Sequence, residues 1–241
     1  CRYMTDYERM KNGRHTPGEY VPEDTQCIIT IGGDGTLIQA ARDLAGRNIP
    51  MLGINRGHLG FLNQVDRTED IDAAMDALVN ERFRLEHRMM LRGTVFHEGK
   101  SVFQDIALNE IIATSAEHLR VLRYDLAVND EYLNEYAADG VMVATPTGST
   151  AYNLSAGGPV MAPAGRMMAV TPVCSHTLNA RSIVISEEDR VKIGLLGKGL
   201  VTFDRKIKKD SYFWYKANWS KDPVLYLTQR RNTEREKKVT S

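Results

Sequence analysis

The order of apolar and polar positions predicts alternating strands and helices in the first third of the chain. Residues 25–31 form an apolar, β-branched run, typical of a strand buried on both faces of a parallel sheet. Residues 37–45 favour a helix, 49–54 a second buried strand, and 68–80 an amphipathic helix. This alternation predicts an α/β unit with a parallel sheet.

Beyond about residue 83 the pattern changes to short strands. They are predicted at residues 91–97, 101–106, 119–128, 132–137, 140–144, 168–173, 182–185, 191–196 and 200–203. We therefore predict three segments: an α/β part over 1–85 with an incomplete N-terminal region, a mostly antiparallel β part over 86–204, and a tail over 205–241 of uncertain structure.

Charge sets the tail apart from the rest of the chain. The net charge of the 241 residues is zero, yet residues 205–241 carry 11 Lys/Arg and 4 Asp/Glu. Aromatic residues from Tyr212 to Tyr215 lie among these basic residues, so nucleic-acid binding is one interpretation, and the weaker one. Self-association or a solvated extension explains the composition more simply. A foreign segment, such as a reading-frame change would produce, is a third hypothesis and predicts a poorly packed tail.

Cysteine usage and hydropathy point to a cytoplasmic protein. The three cysteines are far apart and have no metal-ligand spacing, which fits a reducing compartment without disulfides. The chain has no apolar run of eighteen residues and no apolar leader core, so we expect no membrane span.

A glycine turn with an acid inside it joins the first predicted strand to the first helix. In Gly32-Gly33-Asp34-Gly35-Thr36 the glycines would let a ligand approach the backbone, and N–H groups at the helix start suit phosphate. Gly32, Gly33, Gly35 and Thr36 are therefore candidate phosphate-binding residues. Asp34 could accept the proton of an attacking hydroxyl. The alternative is a tight turn in which Asp34 caps the helix.

Two further segments place polar residues where apolar ones are expected. Asn109-Glu110 interrupts an apolar strand, and its side chains could hold ribose hydroxyls or a ligand amide. An edge strand or a bulge is the alternative. In residues 139–159 a strand ends at Pro146 and a Thr/Gly/Ser-rich turn opens a short helix bearing Tyr152, which could stack on a base. The alternative there is a helix cap with a packing tyrosine.

Together these segments resemble the NAD kinase family. Gly32–Thr36 matches its GGDGT motif, Asn55–Leu62 is similar to its N-x-G-x-L-G-F-L segment, Asn109-Glu110 matches its NE pair, and Asp139–Tyr152 matches its D-G…T-P-T-G-S-T-A-Y motif. The resemblance runs from about residue 21 to 196. It implies an α/β nucleotide-binding part, a β-sandwich part, and a homodimer or homotetramer whose pocket lies between the two parts with help from a neighbouring subunit.

The resemblance also implies an activity and a role for each motif residue. The activity is ATP-dependent phosphorylation of the adenosine ribose 2′-hydroxyl of NAD, with Asp34 as general base and Mg²⁺ neutralising the donor phosphates. NAD and ATP, or polyphosphate in place of ATP, are the implied ligands, and no protein-held metal site is expected. The substrate contacts would come from Asp34, Gly35, Asn109, Glu110, Arg120, Asp139, Thr150, Ala151, Tyr152, Asn153 and Ser155, whereas His176 would be structural.

The sequence departs from the family pattern at both ends. We expect the family's strand and helix ahead of residue 21 to be absent or abbreviated here, and after Asp204 a basic segment replaces the expected Gly and closing strand. Two alternatives stay open. A lipid or diacylglycerol kinase shares GGDGT but should have a Gly-Thr-Gly-Asn-Asp-like element later in the chain. A relative could also bind NAD(P) without catalysing any reaction.

Overall fold

Two compact units make up the chain, Cys1–Glu86 and His87–Ser241. A computed structural model describes residues 21–56, 60–116, 121–177, 180–197, 199–204 and 224–229, and of 224–229 only the backbone. None of the helices in this described part is long and apolar enough to cross a membrane. The predicted N-terminal 20 residues, Arg120 and most of the predicted tail lie outside the described residues.

The first unit has the predicted α/β pattern. Its elements are β1 (Ile28–Ile31), α1 (Asp34–Asp43), β2 (Met51–Ile54), a 3₁₀ turn (Thr68–Asp70) and α2 (Ile71–Val79). β1 and β2 are parallel, in a register that begins with Ile28 opposite Met51 and ends with Ile31 opposite Ile54. The glycine turn lies between the carboxyl end of β1 and α1, where a parallel sheet presents its ligand-binding edge.

The prediction that the first strand is buried on both faces is wrong. Ile28 and Thr30 are buried, but Ile29 is 39% exposed and Ile31 is 61% exposed. Ile28 packs into a small core with Val21 and Leu44 on one side of the strand. Among the described residues nothing comparable covers the other side, so the strand alternates in the manner of a sheet packed on a single face.

In the second unit, the described residues form one antiparallel sheet of ten strands. They are β3 (Leu91–His97), β4 (Lys100–Ala107), β5 (Glu110–Ser115), β6 (Leu122–Val128), β7 (Glu131–Ala144), β8 (Met167–Ser175), β9 (Ile183–Ser186), β10 (Val191–Leu195), β11 (Gly199–Phe203) and β12 (Val224–Gln229). Hydrogen bonding orders eight of them as β11-β5-β7-β6-β10-β12-β3-β4, and β8 joins β7 to β9. The two tight turns at Glu98-Gly99 and Asn129-Asp130 have positive φ at both positions, as two-residue hairpins require.

The long strand β7 organises this unit. Its first half pairs with β6, and its second half lies between β5 and β8. Phe103 of β4 and Phe203 of β11, from the two ends of the strand order, meet edge to face with ring centroids 5.5 Å apart. The sheet therefore folds back on itself around one apolar core that includes Ile111, Tyr124 and Val143. The predicted α/β-plus-β fold class is confirmed.

Two details of the strand pattern differ from the prediction. Residues 132–137 and 140–144 belong to one continuous strand, because β8 pairs with β7 on both sides of Asp139. Gly140 is needed within it, since a Cβ there would lie 2.6 Å from the carbonyl oxygen of Ala113. The second difference is β12, which lies between β10 and β3 inside the range predicted as a tail. Its regular pairing counts against the hypothesis of a foreign, poorly packed segment.

Candidate active site

Asp34 is the first residue of α1, and protein donors hold its carboxylate firmly. The backbone N–H of Phe61 donates to Oδ2 at 2.9 Å, and the N–H of Leu62 donates to Oδ1 at 3.2 Å. The side-chain amide of Asn63 adds a third hydrogen bond to Oδ1, at 2.9 Å. The carboxylate is thus fixed in orientation by a segment that follows β2, in the same unit.

The interpretation of Asp34 as a helix cap is wrong. Gly33 is the residue at the N-cap of α1, and no side chain caps the helix there. Asp34 instead reaches across to residues 61–63, which are 27 to 29 positions further along the chain. Asn63 is a candidate site residue that the sequence analysis did not select, because its contact with Asp34 is created only by the fold.

Glycines around Asp34 fall into two groups. A Cβ on Gly60 would lie 2.3 Å from Asp34 Oδ1, and a Cβ on Gly32 would lie 2.4 Å from Thr36 Oγ1. These two glycines are required by the packing of the site itself. A Cβ on Gly33 or Gly35 would meet nothing within 4 Å. Packing therefore does not explain the last two, and the open space before the turn suits a ligand that approaches the backbone.

In the second unit, Asn109 lies between β4 and β5, and Glu110 is the first residue of β5. Asn109 is 9% exposed and Glu110 is 2% exposed. The edge-strand alternative is wrong, because β5 pairs with β11 on one side and with β7 on the other. Asn109 Oδ1 is buried without a hydrogen bond to any described residue. A buried amide oxygen of this kind is costly, so it points to a partner that is supplied by a ligand or by water.

The backbone of the pair is held from two directions. On one side Thr145 Oγ1 donates to the carbonyl of Leu108 at 2.6 Å, and the N–H of Thr145 donates to the carbonyl of Asn109 at 2.8 Å. On the other side the carboxylate of Asp204 accepts hydrogen bonds from the N–H groups of both Asn109 and Glu110. Sequence reasoning missed both Thr145 and Asp204 as supports of the pair.

The segment after β7 is a compact loop built around Asn153. The side-chain amide of this fully buried residue donates to the carbonyls of Ser149 and Pro159, at 3.3 and 2.9 Å. Its Oδ1 accepts a hydrogen bond from Thr171 Oγ1 at 2.7 Å. Because these bonds use the polar atoms of Asn153 inside the protein, the structure gives this residue a role in shaping the loop, and direct contact with a ligand stays a prediction.

The loop presents its remaining predicted residues near the surface. Thr145 Oγ1 accepts the N–H of Gly148, the first residue of the 3₁₀ turn Gly148–Thr150, at 3.0 Å, and Ser149 Oγ donates to the carbonyl of Pro146 at 2.7 Å. These bonds fit the helix-cap interpretation for the turn, whereas α3 (Tyr152–Ser155) has no side-chain cap. Tyr152 packs beside the buried cluster of Ile112, Met142 and Val173, as a packing tyrosine would. Thr150, Ala151 and Tyr152 are partly exposed, and Ser155 is exposed.

Asp139 faces a histidine on the neighbouring strand end. His176 Nε2 lies 3.6 Å from Asp139 Oδ1, and both side chains are 58% exposed. His176 also donates its backbone N–H to the carbonyl of Ala137 at 2.8 Å. Beside them, a surface cleft of about 370 Å³ runs from the end of α3 to β8, lined by polar groups that include Ser175 and Arg181.

No group of three or more His, Cys, Asp or Glu side chains in the described part of the chain could hold a metal ion. Arg120, the other predicted substrate contact, lies outside the described residues. The fold and these polar groups define the class of protein: an α/β unit with a glycine turn suited to phosphate, followed by a β-rich unit with a buried amide–carboxylate pair.

Comparison with known families assigns the chain more closely. Residues 5–83 match the ATP-NAD kinase N-terminal domain and residues 108–207 match the ATP-NAD kinase C-terminal domain. The chain belongs to the NAD kinase family. The family match begins at residue 5 and extends to residue 207, beyond both limits of the resemblance seen in the sequence.

Relatives and solved structures agree with this assignment. An NAD kinase of Lachnospira eligens is 44% identical over 193 residues, which are 80% of this chain and 66% of the relative. An NAD kinase of Caldanaerobacter subterraneus is 39% identical over 217 residues, covering 90% of this chain and 74% of the relative.

Two solved structures have the same fold. Yeast NADH kinase in complex with NADH has a TM-score of 0.76 at 26% identity. The match covers 87% of this chain and 61% of the yeast chain. An NAD kinase from Archaeoglobus fulgidus in complex with ATP has a TM-score of 0.71 at 25% identity. The match covers 89% of this chain and 77% of the Archaeoglobus chain. The match thus spans only part of the length of these relatives, for example 66% of the Lachnospira NAD kinase.

Proposed function

We propose that this protein transfers the γ-phosphoryl group of ATP to the 2′-hydroxyl of the adenosine ribose of NAD, yielding NADP and ADP. The observation that carries the proposal is the carboxylate of Asp34, held by three protein donors within a glycine turn at the start of α1. Membership of the NAD kinase family supports the choice of reaction.

Asp34 has the chemistry of a general base for this reaction. A ribose hydroxyl attacks phosphorus poorly unless a neighbouring group accepts its proton as the new P–O bond forms. The donors from residues 61–63 fix the carboxylate, which reduces the reorganisation that the proton transfer would require.

The glycine turn would receive the phosphates. Gly33 and Gly35 leave open space where a side chain would otherwise stand, and the free N–H groups at the start of α1 favour negative charge. Gly32 and Thr36 would support the turn from behind, because their atoms are in close contact with each other. Gly33 and Gly35 would thus face the ligand, whereas Gly32 would shape the loop.

Residues of the second unit would bind NAD. Asn109 Oδ1, which has no hydrogen-bond partner among the described residues, and the buried carboxylate of Glu110 suit the hydrogen-bond donors of a ribose or a carboxamide. Tyr152, with Thr150, Ala151 and Ser155, would line the nucleoside site, and Asn153 would hold their loop. Asp139 stands beside the polar cleft and would contact the same dinucleotide, as would Arg120.

The described residues fit a magnesium ion that arrives with ATP. Magnesium commonly takes most of its ligands from phosphates and water, with one or two carboxylates from the protein. Asp34 is a carboxylate at the phosphate turn, and the described part of the chain offers no cluster of three. When bound, the ion would neutralise charge on the transferred phosphoryl group. We also propose a cytoplasmic location and a homodimer or homotetramer, with polyphosphate as a possible alternative donor.

The test is NADP formation from NAD, ATP and Mg²⁺ by the purified chain, with NAD binding measured by calorimetry on the same sample. Asp34→Asn should lower turnover by at least about 100-fold, the lower range for loss of a general base, while NAD affinity changes little. Asp72→Asn, an exposed substitution of the same kind on α2, is the matched control and should keep full activity.

Three results would contradict parts of the proposal. Near-normal turnover by Asp34→Asn would remove the general-base role. NAD binding without NADP formation by the unaltered chain would indicate a non-catalytic relative. Phosphorylation of diacylglycerol in place of NAD would indicate a lipid kinase.

A further inference from the structure

Asp204 follows β11 directly and lies 95 residues from Asn109 in sequence. Its Oδ2 accepts a hydrogen bond from the N–H of Leu108 at 2.9 Å. Its Oδ1 accepts two more, from the N–H of Asn109 at 2.8 Å and from the N–H of Glu110 at 3.2 Å. The N–H of Asp204 in turn donates to the carbonyl of Glu110 at 3.0 Å. One residue therefore binds three consecutive amides.

The fold explains why those amides need an acceptor. β4 ends at Ala107 and β5 begins at Glu110, so the chain changes direction at Leu108 and Asn109. Successive N–H groups then point into one concave space, where a single anion can satisfy all of them. Buried N–H groups without an acceptor would be costly, and a carboxylate forms stronger hydrogen bonds than a neutral acceptor.

The opposite side of the same turn is also fixed. Thr145 binds the carbonyls of Leu108 and Asn109, and a Cβ on Gly148 would lie 2.1 Å from the carbonyl oxygen of Asn109. The backbone of Asn109 is thus held on both sides, with its N–H bound by Asp204 and its carbonyl by Thr145. Its side chain, with Oδ1 unpaired among the described residues, is the part left for a ligand.

We infer that Asp204 is a positioning residue: it does not touch the substrate but sets the direction in which Asn109 and Glu110 present their side chains to it. This inference rests on the proposed function in taking NAD as that substrate. Asp204 itself has φ of +49°, a left-handed conformation that Asp, Asn and Gly adopt more readily than other residues. Its backbone conformation and its three hydrogen bonds thus belong to one local arrangement.

The experiment compares two substitutions that both tolerate this backbone. Asp204→Gly removes every acceptor, and we expect the KM for NAD to rise about 100-fold, the scale of effect that a 1 Å misplacement produces. Asp204→Asn keeps one acceptor oxygen for the amides of Asn109 and Glu110. We therefore expect the KM for NAD to rise by only roughly 10-fold, which would be a partial rescue. The KM for ATP should change much less in both.

Asp130→Gly is the matched control. Asp130 also has a left-handed φ, of +66°, but lies in the hairpin turn between β6 and β7, and its substitution should leave both KM values unchanged. A double variant separates positioning from general destabilisation. If Asp204 acts through Asn109, then Asp204→Gly should cost much less in an Asn109→Ala background than in the unaltered chain.

The inference is overturned if Asp204→Gly keeps the KM and affinity for NAD, or if its effect simply adds to that of Asn109→Ala. If thermal melting shows that Asp204→Gly does not fold, Asp204→Asn replaces it. The effect of Asp204→Asn on the KM for NAD is then compared in the unaltered chain and in the Asn109→Ala background. If the unaltered chain binds NAD without forming NADP, the proposed reaction fails, and NAD affinities measured by calorimetry still decide the role of Asp204. A chain that does not bind NAD at all overturns both.

Discussion

At the residue scale, Tyr124 has the largest fully buried side chain among the described residues, and its hydroxyl has no hydrogen-bond partner there. Its ring stacks on that of Tyr136 with centroids 5.4 Å apart. Burial, followed by the neighbouring Tyr136, raises the pKa of Tyr124 above its usual range. A buried hydroxyl that loses its bonds to water without gaining others weakens the folded state.

Tyr124→Phe should therefore raise the free energy of unfolding, by about 1 kcal/mol, because it removes the unpaired hydroxyl and keeps the ring. Urea denaturation followed by fluorescence or circular dichroism measures the change. Tyr132→Phe is the control, since Tyr132 is 63% exposed and its hydroxyl stays in water in either state. A loss of stability on Tyr124→Phe would mean that the hydroxyl has a partner that the described residues do not include.

Individual site residues were predictable from sequence only where local chemistry marked them. Asp34 is an acid inside a glycine turn, and Asn109 is an amide inside an apolar strand, so each stands out against its neighbours. Asn63 and Asp204 do not stand out, because each acquires its role from a partner far along the chain. Such roles follow from tertiary contacts, which one sequence does not encode in any local pattern.

At the element scale, periodicity placed most strands and helices well. It failed to predict which faces of β1 are covered, because its four apolar and β-branched residues look the same whether a second face is covered or open. It also failed for β12. The segment Val224–Gln229 is rich in β-formers, but the surrounding basic residues dominated the composition. Its pairing with β10 and β3 depends on partner residues at least 30 positions away in the sequence.

The position of β12 inside the sheet can be tested by removing one backbone donor. Leu225 lies opposite Ile193 of β10 on one side and Val95 of β3 on the other. Its N–H group therefore points toward a paired strand on either side. Leu225→Pro should lower the free energy of unfolding by at least about 1–3 kcal/mol, because proline has no N–H and leaves a buried carbonyl unpaired.

Leu225→Val is the matched control for this change. It alters the side chain but keeps the N–H, so it should lose much less stability than Leu225→Pro in the same denaturation experiment. Equal stability of Leu225→Pro and the unaltered chain would show that β12 is not part of the folded sheet, and it would restore the hypothesis of a foreign tail.

At the scale of the whole molecule, the chain is two units joined by an exposed connection. Between α2 and β3, residues 81–87 are exposed and have no regular helix or strand, and the division falls between Glu86 and His87. Exposed connections with few backbone hydrogen bonds are where proteases cut first, because the chain must extend into the protease cleft. Two trypsin sites, Arg82 and Arg84, lie in this connection.

Limited trypsin digestion should therefore cut after Arg82 or Arg84 early, giving fragments whose new N-termini are Phe83 or Leu85, as N-terminal sequencing would identify. The double variant Arg82→Gln/Arg84→Gln should delay this cut, and the Arg123 site serves as an internal control because β6 holds it within the sheet. Should cleavage after Arg123 come first, the second unit would be opening more readily than the connection. That result would mean that the strand pairing of β6 with β7 and β10 is weaker than its register implies.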